Sequence, residues 1–144
     1  MDLFTGVKKI IESSDREQIE TLYQELKASG EGYSQFKSSL SLVGNKLKRL
    51  EYSDNIYQHA LVKITKAFSK VILPDKNIHK DIHKIAIIAI AYLCDPFDII
   101  PDSNPEIGYI DDVYMFSLAL KDIKRISPET YASIQDTYTQ LGDQ

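Results

Sequence analysis

The sequence predicts an all-α protein, a compact bundle of about six or seven helices around a central apolar helical hairpin. Three observations predict it. Apolar residues recur at intervals of three and four along nearly the whole chain, the period of one helix face. Capping and breaking residues punctuate that pattern at helix lengths. No segment alternates as a half-buried strand would, and the β-branched cluster at 85–90 lies inside a helical pattern too long for one strand. At 144 residues one domain, 1–144, is expected, with enough chain to bury a core.

The elements follow in order. Leu3, Val7, Ile10 and Ile11 make one apolar stripe on a short first helix. Ser14-Asp-Arg-Glu17 reads as a capping box that opens a second helix, with Ile19, Leu22, Tyr23 and Leu26 on one face and Gly30 and Gly32 at its end. A third helix is predicted from about Ser34, through Phe36, Leu40, Val43, Leu47 and Leu50. Ser53-Asp54-Asn55 caps a fourth, marked by Ile56, Ala60, Ile64, Ala67 and Phe68. Pro74-Asp75 breaks the chain. A fifth helix, about Lys76 to Leu93, starts amphipathic and becomes apolar on every side, which places it at the centre. A sixth runs from about Tyr109 to Arg125, with Lys121, Lys124 and Arg125 suited to its negative end. Ser127-Pro128-Glu129 opens a last helix to about Leu141, proline taking the first helical position.

Composition narrows the function. The N-terminal 80 residues hold 13 basic and 10 acidic side chains, the remaining 64 only 4 and 11. The front can therefore attract the back of the molecule, or each can serve a different partner. The single cysteine, Cys94, excludes an internal disulfide and fits a reducing, cytoplasmic compartment. The start of the chain lacks the apolar core of a signal peptide. The longest apolar run, Ile85 to Cys94, is half the length a membrane-spanning helix needs. Three lysine groups (Lys63, Lys66, Lys70; Lys76, Lys80, Lys84; Lys46, Lys48, Arg49) read as solvated faces. The acidic balance and the lack of a base-reading motif argue against nucleic acid.

The most specific stretch is 92–112, with three prolines, one glycine, six acids and no basic residue, set between two apolar helices. Proline fixes φ and expels its predecessor from the α region, so the stretch is a rigid corner. Asp98 and Asp102 can accept from free amides of the turns around Pro96 and Pro101. Gly108 permits an unusual φ. Asp111 and Asp112 fall in the first turn of the sixth helix, where the dipole favours negative charge by about 0.3–1 kcal/mol each.

The pattern Tyr92-Leu93-x-x-Pro96-x-Asp98-Ile99-Ile100-Pro101-Asp102-x-x-Pro105-x-Ile107-Gly108-Tyr109-x-Asp111-Asp112 resembles the signature of the YkvA-like family, a bacterial helical domain of unknown function. The resemblance spans about 80–120 and leaves the helices of 1–75 unrecognised. It implies a helical hairpin whose tip is the proline corner, and no reaction. Some relatives carry membrane-spanning or membrane-proximal segments, which implies peripheral membrane contact as one reading here. Ser103 and Asn104 stand where many relatives are apolar and make this tip more polar.

Three functions follow as expectations. The first is a non-catalytic interaction or regulatory module, acting by protein–protein contact with an unidentified partner or a second copy. Its surface would be built on Pro96, Asp98, Pro101, Asp102, Pro105, Gly108, Tyr109, Asp111 and Asp112. No cofactor is expected on that reading, and no catalytic residue is assigned. The second is a divalent-metal site, possible for hydrolysis, formed by convergence of Asp98, Asp102, Asp111 and Asp112. Two carboxylates about 4 Å apart repel by roughly 4 kcal/mol at an effective dielectric of 20. Such a cluster calls for a cation, and oxygen-only ligands suit Mg²⁺, Mn²⁺ or Ca²⁺. The third is peripheral membrane association. Asp75, His79 and His83, one helical turn apart, form a weaker metal pattern whose ordinary reading is a polar helix start.

Overall fold

The structure, a computed structural model, describes residues 2–29, 34, 37–94 and 109–142. Among these are seven α-helices, two 3₁₀ segments and no strand. The helices are α1 (Asp2–Gly6), α2 (Ser13–Ala28), α3 (Val43–Glu51), α4 (Ile56–Val71), α5 (Lys80–Cys94), α6 (Ile110–Ile126) and α7 (Pro128–Gly142). The 3₁₀ segments are Val7–Lys9 and Ser38–Leu42. One continuous core joins residues from every helix, from Phe4 to Tyr138.

The starts of α4 and α7 follow the sequence directly. Asn55 Oδ1 accepts from the amides of Tyr57 at 2.8 Å and Gln58 at 3.2 Å, satisfying two donors that have no partner inside the helix. Ser127 Oγ accepts from the Thr130 amide at 3.2 Å, with Pro128 as the first helical residue.

Three local expectations are corrected. The capping box at Ser14 does not form: the helix starts at Ser13, and Glu12 occupies the cap position in extended backbone without a side-chain bond. Ser14 is then already inside the first turn, where its hydroxyl cannot cap. The fifth helix starts at Lys80 rather than near Lys76. Asp75 Oδ1 holds the Asn77 amide at 2.9 Å, which prolongs the turn after Pro74. The predicted third helix is interrupted rather than continuous: Ser34 and Lys37 are helical, and the 3₁₀ segment 38–42 stands between Lys37 and α3. Phe36, Gly30 and Gly32 lie outside the described residues.

The hairpin of α5 on α6 is present, and its two arms divide the work. Every residue of α5 from Ile85 to Cys94 is buried. Yet α6 is the helix on which most others meet: it packs against α1, α2, α4, α5, α7 and the segment Val7–Lys9. Phe116 of α6 stands edge-on to Phe68 of α4 with ring centroids 5.2 Å apart. Phe4 of α1 meets Tyr138 of α7 in the same way at 5.9 Å.

Opposite charges also meet between the two halves. Lys27 Nζ of α2 lies 2.7 Å from Asp122 Oδ2 of α6, and the Tyr23 hydroxyl donates to the same oxygen at 2.7 Å. Arg125 approaches the other carboxylate oxygen at 3.4 Å. Lys84 of α5 donates to the carbonyls of Lys27 and Ser29, at 2.9 and 2.8 Å. A cation thus completes the negative end of α2.

Candidate functional site

The site is the base of the acidic corner, where α5 ends and α6 begins. α5 delivers Tyr92 into the core because the helix is apolar all round: Tyr92 is 1% exposed. A buried phenol needs a partner for its hydroxyl. It finds one across the hairpin, donating to Asp111 Oδ2 at 2.7 Å.

Asp111 and Asp112 occupy the first turn of α6, as the sequence indicates. Their burial was not readable there. They are 0% and 2% exposed, although carboxylates are rarely buried without partners. Two effects favour their negative charge: the free amides and dipole of the helix start, and, for Asp111, the Tyr92 hydroxyl. Tyr109, just before the helix, has Lys46 Nζ of α3 5.3 Å from its ring centre. The base of the corner is therefore tied to both the helix before it and the N-terminal half.

Tyr92→Phe is expected to destabilise the fold by about 1–3 kcal/mol, the cost of removing the donor from a buried acceptor. The measurement is the urea midpoint at neutral pH. A loss below about 0.5 kcal/mol would mean that the Asp111 contact adds no stability.

Pro96, Asp98, Pro101, Asp102, Pro105 and Gly108 lie outside the described residues. The convergence of Asp98 and Asp102 on Asp111 and Asp112 lies outside them too. Among the described residues, no three His, Cys, Asp or Glu side chains gather as a metal-ligand group. His79 and His83 instead shape the start of α5. His79 Nδ1 accepts from the Asp81 amide at 3.1 Å, and His83 Nε2 donates to the Asp75 carbonyl at 2.7 Å. Cys94 is a buried thiol at the end of α5.

Several tyrosines and lysines pair. Lys63 Nζ lies 4.3 Å from the ring centre of Tyr138, and Lys27 Nζ 4.7 Å from that of Tyr23. Among the described residues three phenols of the bundle are held above their ordinary pKa, Tyr138 by burial. Tyr23 is shifted by burial first and then by its bond to Asp122, Tyr114 by burial and then by its bond to Glu20. The missed pairs have one sequence signal in common: a tyrosine or acid standing on an otherwise apolar helix face.

Among the described residues no helix is long and apolar enough to cross a membrane. No curated protein and no solved structure matches the chain. Residues 84–118, from within α5 to within α6 and about a quarter of the chain, match a family described as a protein of unknown function (DUF1232).

Proposed function

We propose that this protein is a non-catalytic interaction module, that its corner is of the YkvA-like type, and that it acts by protein–protein contact through the junction of α3 and α4. One observation supports the contact surface. Tyr52 is 88% exposed and Ile56, four residues later, 64% exposed. The Ile56 position was expected to face inward, since it falls on the helical spacing of Ala60 and Ile64. It lies at the first residue of α4, beyond the reach of the core, and its side chain is left in water. Lys48 and Arg49, at the end of α3, are exposed beside Tyr52 in sequence.

Tyrosine and arginine are enriched in protein interfaces, and an exposed aromatic with an exposed aliphatic forms the kind of anchor that such contacts bury. The basic flank suits a partner with an acidic rim. The buried Tyr92–Asp111 contact fits the same reading, because it gives Asp111 a structural task.

The test is chemical cross-linking and affinity capture from the source cells, using wild type and a Tyr52→Ser/Ile56→Ser variant. Wild type is expected to retain one partner at stoichiometric yield and the variant to lose it at least tenfold. Both proteins should melt alike, since exposed substitutions cost no more than about 0.5 kcal/mol. Equal recovery by the variant, or no stoichiometric partner for wild type, would reject the reading.

A further inference from the structure

A cleft of about 340 Å³ opens on a different side chain set, between α1, α2, α6 and α7. That volume lies in the range of small-ligand sites, about 300–1,000 Å³. Its floor is apolar: Phe4, Tyr114 and Leu120 are buried there, and Leu118 is partly buried. Its lining includes three exposed lysines, Lys8, Lys121 and Lys124.

Among the described residues the one acid in the lining is Glu20, and it is already engaged by the Tyr114 hydroxyl. Among the described residues, no ion pair joins Lys8, Lys121 or Lys124 to a carboxylate. Lys124 Nζ is held 5.3 Å from the ring centre of Tyr131, on the cleft wall. The cleft thus combines an apolar bottom with a cationic lining. That combination selects a ligand with an apolar body and one negative end.

We propose that this cleft binds an amphipathic monoanion, a short acyl chain ending in a carboxylate. The chain would lie over Phe4, Tyr114 and Leu118, with the carboxylate among Lys8, Lys121 and Lys124. On the α2 side the Glu20 carboxylate accepts from the Tyr114 hydroxyl, and among the described residues no ion pair ties it to those lysines. This site is separate from the α3–α4 contact surface, so the failure of either leaves the other standing.

The probe is octanoate below its micellar range, compared with octylamine, by calorimetry and amide NMR on the whole chain. Saturable one-to-one binding of octanoate is expected, with shifts concentrated in residues 114–124 and octylamine at least tenfold weaker. Lys121→Glu/Lys124→Glu should weaken octanoate at least tenfold, and Ser117→Trp, which fills the cleft, should abolish binding. Circular dichroism checks that each variant folds, and the lysine pair, being exposed, serves if Ser117→Trp does not. Lack of saturable octanoate binding, equal binding of octylamine, or indifference to the lysine reversal would each overturn the proposal.

Discussion

Phe116→Ala is expected to lower the free energy of unfolding by about 3–5 kcal/mol, the cost of deleting a large side chain from a close-packed core. Phe116 is fully buried, and its ring meets that of Phe68 edge-on at 5.2 Å. It also stands on α6, the helix against which most of the bundle packs. The cavity would therefore open at the junction of several helices, where no single neighbour can move in to fill it. Domains of this size are stable by about 5–15 kcal/mol, so the variant should be close to unfolding. Urea denaturation followed by circular dichroism measures the loss. Phe116→Leu, which keeps most of the volume, should lose less than half as much. If the leucine and alanine variants both stay within about 1 kcal/mol of wild type, α6 is not the packing centre.

The second large effect is expected at Asp122. Burial by itself raises the pKa of this carboxyl, but the Lys27 ammonium, the Tyr23 hydroxyl and the Arg125 guanidinium outweigh it. The net result is a value below the ordinary one. A carboxyl depressed in the folded state adds stability above its unfolded pKa and loses it as pH falls toward its folded pKa. The loss should therefore begin near pH 4, the unfolded value being about 3.9, and grow as the pH is lowered further. Asp122→Asn should cost about 1–2 kcal/mol at pH 7, since it weakens the hydrogen bonds of Tyr23, Lys27 and Arg125 to a partly buried charge. The gap between wild type and variant should then narrow from pH 4 downward. A gap that stays constant from pH 7 to pH 3 would show that the charge of Asp122 does not stabilise the fold.

The sequence revealed what neighbours in the chain decide. Asn55 before an apolar run and Ser127 before Pro128 marked two helix starts, because a cap is a contact over two or three residues. The same logic misled at Ser14. A capping box is worth about 1 kcal/mol, and helix starts are also set by how the helix packs. Ile11 and Ile19, both buried, flank that start, which falls two residues earlier than the box requires. Ile10 and Ile56 fit the helical spacing yet are exposed, since spacing gives a face and not its distance from the core.

At the candidate site, the first-turn position of Asp111 and Asp112 was legible, and their burial was not. Tyr92 and Asp111 stand in the same motif, but their contact depends on how α5 and α6 cross. The role of α6 was hidden for the same reason. Its run of residues is less uniformly apolar than that of α5, and its importance arises from partners distant in sequence.

The contacts between α2 and α6 bridge 99 residues at Tyr23–Asp122 and 94 at Glu20–Tyr114. On the ribosome, α2 leaves the exit tunnel long before the strip of α6 that it must cover. At synthesis rates of about 5–20 residues per second, the delay is roughly 5–20 s. Throughout it, Ile19, Tyr23 and Leu26 have no surface of α6 to rest on. The newborn chain thus carries the apolar face of α2 uncovered by α6 over that interval.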